Sequence, residues 1–132
     1  MTPIGVVRSA LRDLRDAPNQ AFEGAPRAIL EISPDFLPAL HRVRSGTEMI
    51  VVTWLHQADR GVQRTHPRGD ERIPLTGVFA TRSPDRPNPI GLHRVTITQI
   101  EPPASLHVDA LEAIDGTPIL DLEIAIAARA DS

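Results

Sequence analysis

Apolar and polar residues alternate along most of the chain in short runs, and the period is two rather than 3.6. Residues 3–8 (PIGVVR) form an apolar segment with a β-branched centre, and residues 27–32 (RAILEI) form a second. Residues 48–56 (EMIVVTWLH) are the most apolar run and predict a central strand. Residues 90–101 (IGLHRVTITQIE) set Val95 and Ile97 on one side and Thr96 and Thr98 on the other. Residues 106–114 and 119–126 also alternate, and residues 76–81 supply a further short apolar run. Alternation of this kind predicts half-buried strands. Helical spacing occurs once, at Phe36, Leu37, Leu40 and Val43. There Ser33-Pro34 provides a cap and a proline at the first helical position, which predicts a short helix over residues 34–42 despite Pro38. About seven strands, one short helix and long polar loops predict a mainly β fold, a small barrel.

The breaks between runs carry as much information as the runs. Pro102-Pro103 ends one strand, and Asp115-Gly116-Thr117-Pro118 is a turn by composition. Residues 57–76 make a long loop rich in Arg and Gly, unusual for a compact domain unless it has a role. Residues 82–89 hold Pro84, Pro87 and Pro89. Each proline fixes its own φ and biases the residue before it toward extended backbone. The result is a stiff loop, from which Arg82, Arg86 and Asn88 are expected to project. A loop ordered at folding has little entropy left to lose when a ligand arrives.

The chain has 132 residues and a net charge of −3, which predicts one globular domain over residues 1–132. No apolar run approaches the roughly 20 residues that span a bilayer, and residues 1–9 lack a signal-peptide hydrophobic region. The expected location is the cytoplasm, with no membrane partner. Cysteine is absent, which excludes disulfides, thiolate nucleophiles and cysteine-based zinc sites. The five histidines never fall at close ligand spacing, so no metal is expected. No Gly-rich nucleotide loop, nucleophile elbow or HExxH motif occurs; Ser83 is the one serine in the stiff loop. All 14 basic residues are arginine. Between Arg60 and Arg94, seven arginines face three acids, a local charge of +4 in an acidic protein. Such a segment suits an anionic partner such as nucleic acid, or is a solvated arginine-rich loop.

The run GVFATRSPDRPNPIGL at residues 77–92 closely resembles the signature of the TrmO (YaeB, TsaA-like) family. Ile4-Gly5-Val6-Val7-Arg8-Ser9 resembles that family's opening strand, and Asp115-Gly116-Thr117-Pro118-Ile119-Leu120-Asp121 resembles its closing DGTPxLD motif. The resemblance implies a methyltransferase that uses S-adenosylmethionine, on a β-barrel, acting on tRNA at the N6 of threonylcarbamoyladenosine beside the anticodon. It also implies a homodimer with the cofactor near the subunit interface. The implied cofactor-binding residues are Pro18, Asn19 and Gln20, His56 and Gln57, Arg82, Leu92, and Asp115, Gly116, Thr117 and Pro118. In these roles Arg82 meets the methionyl carboxylate and Leu92 the adenine, while amides and a carboxylate at the turn take the ammonium and the ribose hydroxyls. Catalytic residues are left unassigned, with Asp121, His93 and His66 as candidate general bases.

The chain departs from the family pattern in places. Asn19 stands for an arginine, His93 for a serine, and Leu122-Glu123-Ile124-Ala125 for a segment with a lysine and a tyrosine. The alternatives are a methyltransferase with a small-molecule or different RNA acceptor, and a module that binds S-adenosylmethionine without transferring methyl.

Overall fold

A computed structural model describes residues 2–11 and 26–126. Pro18, Asn19 and Gln20 lie outside the described residues. Eight strands follow in order: β1 Gly5–Ser9, β2 Ala28–Ile32, β3 Glu48–Trp54, β4 Arg64–Thr65, β5 Thr76–Gly77, β6 Ile90–Glu101, β7 Ser105–Val108 and β8 Pro118–Ile124. Six of them close into a barrel in the order β1-β2-β7-β6-β3-β8, and every described pairing is antiparallel. The remaining two, β4 and β5, form a separate two-stranded sheet. The mainly β barrel expected from the alternation is therefore the fold. Among the described residues the strand count is eight, because the 57–76 loop contributes β4.

The core follows from the pleat. Val7, Leu30, Val51, Ile97, Val108 and Ile119 point inward and are fully buried. Burial of a side chain of this size contributes roughly 1.5–3 kcal/mol against leaving it in water. The closing pair sets Gly5 opposite Ile119, and Gly5 also faces Ile32 on β2. A Cβ at Gly5 would collide with the backbone oxygen of Glu31, so the barrel's closing seam requires glycine there.

Three elements differ from the expectation. The helix is 3-10 rather than α, over Pro34–Leu40, because Pro38 within it cannot donate a backbone hydrogen bond. Phe36, Leu40 and Val43 still pack against the core. The strand expected at residues 76–81 ends at Gly77, and Val78–Ala80 is a 3-10 turn. The strand expected at 106–114 ends at Val108. There the Asp109 carboxylate accepts from Thr96 N at 2.9 Å and Ala110 N at 2.8 Å, which turns the chain out of the ladder. The alternation beyond it is real but has another cause. Leu111, Ala113 and Ile114 are buried because residues 109–117 cross and close one end of the barrel. Leu111 N donates to Pro26 O, and Gly116 N donates to Val7 O.

Candidate functional site

The antiparallel order fixes which loops share an end. The C-terminal ends of β1, β3 and β7 and the N-terminal ends of β2, β6 and β8 point the same way. His56-Gln57 after β3, Arg82 before β6 and Asp115 to Thr117 before β8 are therefore carried to one rim, the end that residues 109–117 close.

The 115–118 turn is strongly committed to its own fold. Gly116 has φ +87, a conformation that favours glycine. Asp115 N donates to Leu11 O at 2.7 Å, Gly116 N to Val7 O at 2.8 Å and Thr117 N to Ile114 O at 3.1 Å. Thr117 is fully buried, and its hydroxyl donates to Ile114 O at 2.7 Å. All three amides of this turn are taken up internally, and Pro118 has none. The Thr117 carbonyl is likewise taken, by Val7 N at 2.9 Å. The Asp115 carboxylate takes Ser9 N at 3.0 Å and stands 3.9 Å from the Arg8 guanidinium, with its side chain still partly exposed. A carboxylate suits ammonium and hydroxyl donors rather than an anion.

The proline loop is held more tightly than its composition implied. Arg86 does not project; its guanidinium folds back and donates to three carbonyls of the loop. These are Val78 O at 2.8 Å, Ser83 O at 3.1 Å and Thr81 O at 3.2 Å. Ser83, the one candidate nucleophile, exchanges bonds with Asp85 backbone atoms at 3.2 and 3.3 Å, a turn-forming role. The loop is also tied to the segment after β3. Asp59 N donates to Asp85 Oδ1 at 2.8 Å and Leu55 N to Pro89 O at 2.8 Å. Arg60 donates to Pro87 O at 2.8 Å and lies 5.2 Å above the Trp54 ring. His56 and Gln57, in the middle of this tied segment, are exposed.

Arg82 behaves differently. It is exposed, and its guanidinium makes one long hydrogen bond, 3.4 Å from Nη2 to Leu92 O. The structure thus brings Arg82 and Leu92 together, with most of the guanidinium open to solvent. Leu92 lies on the outer face of the barrel, 56 % exposed, and is not core. Across the sheet it faces Val52, which in turn faces Asp121.

His93 points inward beside Leu92. Its Nε2 is 2.8 Å from the hydroxyl of Thr53, which is fully buried. Gly91 makes room for this pair: a Cβ there would stand 2.5 Å from the Thr53 hydroxyl and 2.6 Å from His93 Nε2. Burial, and then the Arg82 charge, push the His93 pKa down to about 4, so the ring is neutral near pH 7. A base that weak is poorly matched to proton abstraction at neutral pH. His66 Nδ1 is 2.8 Å from Ile73 O and braces the loop after β4. Of the three candidate bases, Asp121 is the exposed one and shares the cross-strand row with Leu92. The Thr53–His93–Gly91 cluster was missed from sequence, although Thr and His spaced along strands with a facing Gly were its visible signal.

Two concavities lie away from Arg82. One of about 240 Å³ lies between residues 39–49 and β8, and one of about 420 Å³ lies over β1, β2, β6 and β7. The residues gathered at the rim form an open surface in one chain. Among the described residues, no group of three or more His, Asp or Glu is placed to hold a metal ion, and no helix is long and apolar enough to cross a membrane.

Residues 6–128 match the family model of the tRNA-methyltransferase O N-terminal domain. The chain is 39 % identical over 121 residues to a probable S-adenosyl-L-methionine-binding protein of Methanothermobacter thermautotrophicus, covering 92 % of this chain and 85 % of that one. It is 38 % identical over 123 residues to an S-adenosyl-L-methionine-binding protein of Archaeoglobus fulgidus, covering 93 % and 86 %. It also resembles the crystal structure of TrmO from Pseudomonas aeruginosa, with TM-score 0.73 and 28 % identity over 99 % of this chain. The chain spans 59 % of that solved chain's length.

Proposed function

The chain belongs to the TrmO N-terminal domain family, and on that premise we propose that it is a methyltransferase that uses S-adenosylmethionine and acts on tRNA. The finer reading is methylation of the N6 of threonylcarbamoyladenosine next to the anticodon, in the cytoplasm. The observation that carries the cofactor assignment is the exposed Arg82 guanidinium, set beside the exposed Leu92 at the rim that also carries the Asp115 carboxylate.

The donor set fits the cofactor. Its carboxylate requires a cation, and Arg82 offers a planar fork with little of its bonding capacity used. Its ammonium and ribose hydroxyls require acceptors, a role that falls to the partly exposed Asp115 carboxylate. The adenine requires an apolar surface, which Leu92 supplies. By family resemblance His56, Gln57, Pro18, Asn19 and Gln20 complete the site. When bound, S-adenosylmethionine supplies a methyl carbon on a sulfonium, open to in-line displacement. The chain's part is then alignment of the acceptor and exclusion of competing geometries. Asp121, exposed and on the Leu92 row, is the candidate we propose to accept a proton from the incoming acceptor.

Replacing Arg82 with alanine should raise the S-adenosylmethionine dissociation constant about tenfold or more, about 1.4 kcal/mol. Lysine at this position should recover only part of the loss, because it keeps the charge without the fork. Calorimetry measures both; an unchanged affinity in the alanine variant would remove Arg82 from the site.

A homodimer is part of the proposal. Ile90 and Leu92 on β6 are 43 % and 56 % exposed, and their cross-strand partners Trp54 and Val52 lie on the same outer face. A second copy on this face would convert an open rim into an enclosed site. Light scattering should return twice the 14.4 kDa chain mass, and a single-chain mass at all concentrations would count against it.

A further inference from the structure

Phe79 is 85 % exposed, more than any other exposed large hydrophobic of the described residues. An exposed phenylalanine on a loose tail would mean little, but this one is mounted rigidly. Val78 beside it is buried, and Val78 N donates to Gln63 O at 2.8 Å. The Val78 carbonyl accepts three bonds: from Thr81 N at 3.1 Å, the Thr81 hydroxyl at 3.0 Å and the Arg86 guanidinium at 2.8 Å. The 3-10 turn Val78–Ala80 thus presents the ring outward on a fixed backbone. Little backbone freedom remains to be lost when something stacks on it.

The surroundings carry a positive charge. Arg64 is exposed and pairs with Gly77 across the β4–β5 ladder, two residues before Phe79. Arg82 follows three residues after it and is also exposed. The arm also carries Arg68 and Arg72, both with partners, Arg72 with Asp70 at 2.9 Å. Leu75, 52 % exposed, extends the apolar surface before the ring. An exposed aromatic ring on a segment that also carries exposed arginines fits a ligand that combines a flat π-surface with phosphates, which is unpaired nucleic acid.

We propose that Phe79 is the stacking platform for an unpaired base of an RNA loop, with Arg64 on the neighbouring phosphate. The proposal rests on the RNA-acceptor reading above and gives that acceptor a docking point. It makes the β4–β5 arm and the 78–80 turn the RNA-facing edge, and Arg82 the boundary between RNA and cofactor. Stacking between neighbouring pairs in a duplex hides the flat face that Phe79 needs, so an unstacked loop base is selected over a duplex.

The test uses the full chain and a fluorescein-labelled RNA hairpin with an unpaired loop, followed by anisotropy, with a fully paired duplex as control. Phe79→Ala should weaken hairpin binding roughly 5- to 100-fold. Phe79→Trp should bind as well as the native chain, and S-adenosylmethionine affinity should be unchanged in both. Arg64→Ala should lower the salt slope of hairpin binding by about 0.7–0.9. Hairpin binding by Phe79→Ala equal to that of the native chain would overturn the proposal. So would a native chain that binds no hairpin, or a Phe79→Ala chain that falls from dimer to monomer, which would give the ring to a second copy. If the native chain methylates tRNA while Phe79→Ala binds normally, the platform alone fails. If Phe79 and Arg64 behave as expected while no RNA is methylated, the platform stands and the methyltransferase reading fails.

Discussion

Replacing Arg86 with alanine should destabilise the protein by about 2–4 kcal/mol and loosen the cofactor site with it. The guanidinium is half-buried and donates to Val78 O, Thr81 O and Ser83 O, joining the two ends of one tight loop. Hydrogen bonds to a charged group contribute about 1.5–3 kcal/mol each, and partial exposure reduces the sum. Alanine would also leave the Ser83 carbonyl and its neighbours to find water in a loop too stiff to rearrange. Arg82 lies four residues before Arg86 in the same loop, so its orientation should degrade too. Denaturant unfolding should show a lower midpoint, and calorimetry a weaker S-adenosylmethionine interaction. A variant with native stability would mean that the loop is held by its prolines alone. Lysine should not rescue, since one ammonium cannot span three carbonyls as the fork does.

His93 should make stability depend on pH in a defined window. Its folded pKa is depressed to about 4 from an ordinary 6.5, by burial and by the Arg82 charge. The unfolded chain therefore binds the proton more readily than the native one. Stability from this source is complete above about pH 6.5, falls as pH drops, and has been lost by about pH 4. The total is about 3 kcal/mol at most. The groups facing the ring are the Thr53 hydroxyl, which can serve either protonation state, and Arg82, whose charge opposes an imidazolium. His93→Gln keeps a hydrogen-bonding group without the titration. Unfolding measured at several pH values should show the native curve falling more steeply than the variant's between pH 6.5 and 4. Parallel curves would place the ring in a more solvated setting than the one described.

How far the sequence reached can be judged element by element. The alternation in β6 and β8 was enough to mark a mainly β protein, because a period of two is set by the pleat itself. It failed past Val108, where burial alternates although the ladder has ended; there the Asp109 side chain takes the amides that a neighbouring strand would use. The arginines were the harder case. Composition marks Arg82 and Arg86 as equivalents in one loop, yet one faces solvent and the other bonds three carbonyls. Only the path of the backbone distinguishes them. The 115–118 turn shows the same limit, since a turn is legible from Asp-Gly but the partners of its amides are not. Gly91 was legible only in retrospect, as the space that a facing threonine and histidine occupy.

The central claim is that Arg82 and the rim around it bring S-adenosylmethionine to an RNA acceptor. Its most direct test is transfer of labelled methyl from S-adenosylmethionine to total tRNA, with the native chain and Arg82→Ala side by side. The native chain should label tRNA, with the label in the modified adenosine beside the anticodon, and Arg82→Ala should label it far more slowly. Measurable S-adenosylmethionine binding by the native chain with no label in tRNA would contradict the claim and leave a protein that binds the cofactor without passing on its methyl group to RNA.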